Sequence, residues 1–230
     1  MRNFLVLIIW LSVHSVALAD WKVDEHIDAM TDEVKKTAIV KNELGHTFSI
    51  YRISKGGAVW GNFALSDKIF DQVDWEKPPI YRVDKNEPKN LARMKRMQEM
   101  DLGIQAYEWE PKWVNFLIWH GKEDEGVANN LVQIMEGQKI VFRYYLSTGG
   151  YKDTSFSLKR AASSISSAIE ISSTIDHSAQ QKNEAFKQTF LAESKKCQQN
   201  MRTFKSCFSQ VNDCRKLSNN DINKFKACLQ

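Results

Sequence analysis

Proline and glycine are scarce. The 230 residues hold four and ten of them, against usual shares of about 5% and 7%. From Ala179 to the end there is neither, so nothing there interrupts a helix except polar clusters. No cysteine precedes Cys197. After Leu18 no run is long and apolar enough to cross a bilayer, which needs roughly 20 such residues. G-x-S-x-G, H-E-x-x-H, a phosphate-cradling glycine loop and C-x-x-C are all missing, so the common hydrolase, metalloprotease, nucleotide-binding and dithiol signatures are excluded.

What is present begins with an export signal. Met1-Arg2-Asn3 carries a positive charge, Phe4 to Val13 is apolar, and Ala17-Leu18-Ala19 forms an A-x-A site before Asp20. These parts predict a signal peptide over 1–19, cleaved after Ala19. With Asp at position 20, no lipid joins a thiol at the new N-terminus. The expected mature chain is periplasmic or secreted, without a membrane span.

An apolar fraction of 43% supports a real core. From His177 onward ten Lys/Arg face four Asp/Glu, a net of +6, and residues 20–176 carry −3. The basic end suits an acidic partner or lipid head groups, although a solvated lysine-rich helix face accounts for it as well.

Residues 20–170 read as an antiparallel β-sandwich-like domain. Thr47 to Ile53 alternates polar and apolar, Ser54-Lys55-Gly56-Gly57 follows, and Ala58 to Phe63 returns, as a hairpin does. Ile80 to Asp84, Val114 to Trp119, Ile140 to Leu146 and Thr154 to Leu158 are further strands. Leu91 to Met100 and Glu125 to Met135 are inserted helices. Residues 161–176 start as a short helix with Ala161, Ile165 and Ile169 on one side. A linker spans 171–180.

Residues 181–230 read as a helical hairpin. Phe186, Phe190, Cys197, Met201, Phe204 and Phe208 form one stripe of a helix of about 30 residues. Ser218 or Asn219 caps a final helix bearing Ile222, Phe225, Cys228 and Leu229. Gaps of nine, six and thirteen between the cysteines do not suit zinc, and an even count in an exported chain points to disulfides. A simple antiparallel hairpin implies the nested pairs Cys197–Cys228 and Cys207–Cys214. Cys197 and Cys207 lie about 80° apart on one continuous helix, which strains that pairing.

The search for a reaction centre is mostly negative. Glu108 and Glu110 flank Trp109, the arrangement of an acid–base pair beside an aromatic wall. Two exposed glutamates on a strand explain them equally. The acidic run around Glu123, Asp124 and Glu125 is a candidate loop for a basic cleft. Asp24, Asp28 and Asp32, spaced by four, read better as an acidic turn than as a cation site. Trp109, Trp113 and Trp119 read as core. No cofactor, metal or nucleic acid is called for.

One pattern spans about 21–170. Trp21-x-Val23, then Asp28-Ala29-Met30-Thr31-Asp32, Tyr81-Arg82-Val83-Asp84, Phe116 to Trp119, Phe156-Ser157-Leu158 and the Ile165 to Ile169 helix occur in that order. In this the chain resembles the VasI-like bacterial cell-envelope proteins associated with type VI secretion. Ala29 stands where that family has proline, and the Leu91 to Met100 segment and the cysteine-bearing end are additions. The resemblance implies an all-β periplasmic domain with a non-catalytic accessory or binding role, its partner another envelope protein. Two other roles are open: an inhibitor or immunity protein for a periplasmic enzyme, and an envelope enzyme using Glu108 or Glu110.

Overall fold

A computed structural model describes residues 20–99, 105–121, 126–172, 177–198, 204–219 and 221–229. The expected signal peptide lies outside these residues. The chain is mainly β, in two antiparallel sheets. The larger contains β1 (Lys22–Ile27), β2 (Val34–Lys41), β3 (Thr47–Arg52), β4 (Val59–Ala64), β8 (Trp113–Trp119) and β7 (Tyr107–Glu110), in the order β1-β2-β3-β4-β8-β7. The smaller has the order β10-β9-β5-β6, from β5 (Ile80–Val83), β6 (Lys89–Asn90), β9 (Lys139–Tyr145) and β10 (Tyr151–Ser157).

Alternation decides what the sheets bury. Val40, Phe48 and Phe63 share a cross-strand row, as do Ala38, Ile50, Gly61, Phe116 and Tyr107. In the smaller sheet Tyr81 lies opposite Phe142, and Phe142 opposite Thr154. The two sets meet as an aromatic seam. Phe142 stacks on Phe63 at 4.7 Å and touches Phe48 at 5.2 Å, while Tyr81 lies on Phe116 at 5.3 Å. Gly61 makes room for it: a Cβ there would come 2.7 Å from the Phe116 ring.

Helix α3 (Ala161–Ile169) packs on β1, β2 and β3 and buries Ala161, Ile165, Ala168 and Ile169 in the same core. Helix α2 (Asn129–Glu136) lies against α3 and β8 and buries Leu131, Val132, Ile134 and Met135. Helix α1 (Ala92–Glu99) touches β7, where Gln98 Oε1 accepts from the Ala106 and Tyr107 amides. The expected strands and inserted helices thus form with shifts of a few residues at their ends. Strand β2 was not anticipated: its first half is Val34-Lys35-Lys36, exposed or half-exposed, and its alternation begins only at Thr37.

A second core, separate from the first, gathers Phe186, Cys197, Val211, Cys214 and Phe225 from α4 (His177–Gln198), α5 (Phe204–Ser218) and α6 (Ile222–Leu229). Phe225 packs on Phe186 at 5.3 Å and on Phe190 at 6.2 Å. Met201 and the side chains of Phe204 and Phe208 lie outside the described residues.

The disulfides correct the nested pairing. Cys197 bonds Cys207, and Cys214 bonds Cys228, with Cα–Cα distances of 5.6 and 5.5 Å. The expected single long helix is two: α4 ends at Gln198 and α5 starts at Phe204. One continuous helix would hold Cys197 and Cys207 about 15 Å apart, so their 5.6 Å Cα–Cα distance excludes a single helix through both. Each bond joins helices that follow one another in sequence. The final cap differs too. Asp221 Oδ1 accepts from the Asn223 and Lys224 amides, whereas the Ser218 hydroxyl donates back to Arg215 O.

His46 is a buried polar group that ties the larger sheet to the loop after β4. Its Nδ1 accepts the Ser66 amide at 3.0 Å, and its ring meets Phe63 and Tyr144 edge-on. Burial pushes its pKa below the ordinary 6.5, outweighing the opposing charge of Asp71; Lys152 and Lys112 push the same way as burial. The unfolded chain therefore takes up this proton first. The stability it carries is present above about pH 6.5 and is lost as pH falls through the folded value.

Two outcomes are expected. Urea unfolding should show stability falling as pH drops below 6.5. His46→Phe should remove that His-dependent part of the fall while costing about 1–3 kcal/mol for the stranded Ser66 amide. Unreduced peptide mapping should recover Cys197 linked to Cys207, and their joint replacement by serine should destabilise the helical part by roughly 2–4 kcal/mol.

Candidate interaction site

The larger sheet splits at one end. Strand β1 pairs with β2 over six positions, from Lys22–Ile39 to Ile27–Val34. Strand β3 pairs with β2 only from Thr37–Tyr51 to Lys41–Thr47. The outer half of the β1–β2 hairpin therefore stands clear of β3 as a two-stranded arm. Between this arm, the β3–β4 turn and the C-terminus of α3 lies a cleft of about 360 Å³, with Val34, Lys36, Arg52, Ile53, Lys55 and Glu170 among its lining residues.

Arg52 belongs to the cleft but is only 8% exposed. It sits two residues beyond Ile50 in β3, on the inward row, where the core gives way to the split. Its Nε donates to Gly57 O at 2.9 Å, Nη1 to Ile169 O and Nη2 to Gly121 O, both at 3.0 Å. The guanidinium also lies over the Trp119 ring at 5.3 Å. Ile169 ends α3, where unpaired carbonyls give the helix dipole its negative end. One buried cation thus ties the β3–β4 turn, the loop after β8 and α3. Gly121 (φ +80°) is required there, because a Cβ would fall on the Gly57 carbonyl.

The rim is apolar and exposed. Ile27, Val34 and Ile53 are 61%, 52% and 63% accessible, and Met30, at the arm's tip, 92%. Local turn chemistry presents Met30. Asp28 Oδ1 accepts from the Met30 and Thr31 amides, and these bonds hold its carboxyl below the usual carboxylate range. Around the apolar rim stand Lys35, Lys36 and Lys55, with Lys36 3.7 Å from Glu170.

Alternation separates the residues that sequence reasoning grouped. Glu108 lies on the outer face of the larger sheet, in one row with Ser49, Asn62 and Asn115. It accepts from Asn115 Nδ2 at 2.9 Å and Gln105 Nε2 at 2.5 Å, and Asn62 donates to Asn115 Oδ1. The Tyr51 phenol is pushed up to about 12, first by burial and then by the charge of Glu108. Trp109 turns the other way and packs against the main core, its indole N–H buried without an acceptor. Glu110 is exposed at the end of β7. The two carboxylates and the tryptophan therefore share no pocket. Glu123, Asp124 and Glu125 lie outside the described residues. Asp24 is in β1 and Asp28 and Asp32 are in the turn, and no group of three or more His, Cys, Asp or Glu among the described residues is placed to hold a metal.

The cleft residues were missed. One signal was available: in Thr47 to Ile53 the inward set Phe48, Ile50, Arg52 ends in a cation, and a charge in such a place needs buried partners. Comparison with protein-family models, curated proteins and solved structures finds no match.

Arg52→Met should leave three backbone carbonyls short of a donor and cost about 3 kcal/mol or more. Urea unfolding measures it; a change below about 0.5 kcal/mol would show that Arg52 is not the anchor.

Proposed function

We propose that this chain is an exported, non-catalytic binding or accessory protein of the bacterial cell envelope. Its signal peptide is removed after Ala19, and it engages another envelope protein through the arm and cleft. The observation that carries the reading is that two large exposed apolar side chains, Val34 and Ile53, line one cleft, with exposed Ile27 opposite Val34 in the arm and exposed Met30 at the arm's tip. Contiguous exposed apolar surface with a polar surround is characteristic of interaction sites. Two disulfides and no free cysteine are compatible with an oxidising compartment such as the periplasm. Among the described residues no helix is long and apolar enough to cross a membrane. The resemblance to VasI-like proteins supports an accessory role in type VI secretion, since the Asp28 to Asp32 mark forms the arm's tip.

The test compares the full chain with a Val34→Asp/Ile53→Asp double variant as bait for detergent-solubilised envelope proteins. Secretion-apparatus subunits should be retained by the first and lost at least tenfold by the second. Equal retention by both would remove the cleft from the proposal. Retention of one hydrolase alone would replace the accessory role by an inhibitory one. N-terminal sequencing of the exported protein should begin at Asp20.

A further inference from the structure

The outer edge of β1 carries a self-complementary pattern. Its pairing parity follows from one bond: the Asp28 amide donates to Glu33 O at 2.9 Å. That makes Asp28–Glu33 a hydrogen-bonded pair of the ladder. In an antiparallel ladder bonded pairs recur every second residue, so His26–Lys35, Asp24–Thr37 and Lys22–Ile39 also face each other through their backbones. Val23, Glu25 and Ile27 must then turn their N–H and C=O groups outward. Strand β1 ends its sheet, and no other described residue bonds these groups. Apart from half-buried Val23, every side chain of β1 is exposed.

We infer that this edge pairs with the β1 edge of a second copy of the chain, antiparallel about a twofold axis through Glu25. One register is complementary at every pair except the one at its axis. It sets Lys22 opposite Asp28, Val23 opposite Ile27 and Asp24 opposite His26, each pair occurring twice. Glu25 meets Glu25 once, at the axis. The face holding Val23 and Ile27 joins apolar to apolar. The other face joins cation to anion at Lys22 and Asp28, and imidazole to carboxylate at His26 and Asp24. Sliding the copies by one step, which keeps the backbone groups facing, sets Asp24 against Asp24 or against Asp28. An in-register parallel pairing sets every charge against itself. Like charges directly opposite are destabilising in a sheet, and opposite ones stabilise it.

Charged residues usually guard a free edge against indiscriminate pairing. Here Lys22, Asp24, Glu25 and His26 do that against other strands and still permit this partner. The result is one continuous sheet of twelve strands across two copies. A contact this short is small beside standard interfaces, so the dimer dissociates on dilution. The partner reading above shares the arm with this edge but rests on the cleft-lining Val34 and Ile53, so the variants that test the two readings are different.

All four native cysteines are in disulfides, so one added cysteine is the only free thiol. Opposed residues of a bonded pair have Cα atoms about 5.5 Å apart, within disulfide reach. Glu25→Cys, mildly oxidised with the native bonds intact, should give a covalent dimer at least fivefold faster than Asp24→Cys. Sedimentation of the unaltered chain should show a reversible dimer. Glu25→Gln, which removes the one repulsion, should tighten it several-fold. Glu25→Pro removes an N–H that the fold does not use and should leave a monomer with an unchanged unfolding midpoint. Asp24→Lys should weaken the dimer should the proline variant misfold. A monomer at millimolar concentration, a dimer insensitive to Glu25→Pro and Asp24→Lys, or faster cross-linking of Asp24→Cys would each overturn the inference.

Discussion

The aromatic seam between the two sheets is the contact on which the rest depends. Phe142 sits at its centre, in ring contact with Phe48, Phe63, Tyr81, Phe116 and Phe156. Buried aromatic pairs add about 0.5–1.5 kcal/mol each beyond the area they bury, and five of them here share the Phe142 ring. The seam also sets which side of every strand faces inward. Once Phe48 and Ile50 point in, Arg52 must follow, because strand periodicity is two. The anchoring of the cleft is thus a consequence of core packing at the far end of the same strand.

The residues that carry the family resemblance prove to be fold-making. The Trp21 indole donates to Ser157 O at 2.8 Å, fastening the start of the sandwich to its last strand. Tyr81 and Phe156 belong to the seam. Asp84, with φ +48°, accepts the Gln138 and Lys139 amides and locks β5 to the start of β9. These marks describe packing and turns, so the proposed role in secretion rests on the resemblance and the exposed arm.

Strands with clear alternation were legible in the sequence, and so were helices whose apolar residues recur at helical spacing. Leu131, Ile134 and Met135 line α2 and are buried as expected, whereas Val127 precedes the helix, which starts at Asn129. Strand β2 was illegible because two lysines open it and β1 is its only neighbour there. The disulfide pairing was illegible because it requires the chain to turn back between Cys197 and Cys207, and neither proline nor glycine stands between them. The cleft was illegible because exposure of Ile27, Val34 and Ile53 arises from β3 parting from β2. No property of those residues taken singly announces it.

The sequence by itself determined the signal-like composition of residues 1–19, the mainly β body with inserted helices, the disulfide-bonded helical end and the absence of familiar catalytic motifs. Each is a local or compositional property, set by spacing along the chain. Tertiary structure alone decided which cysteines meet, that Trp109 rather than Glu108 takes the core side of β7, and that exposed Val34 and Ile53 line a cleft with Arg52. It also decided which backbone groups of β1 face outward, since that parity depends on a turn bond at Asp28. These are relations between distant segments, and chain spacing does not specify them until the sheets have packed.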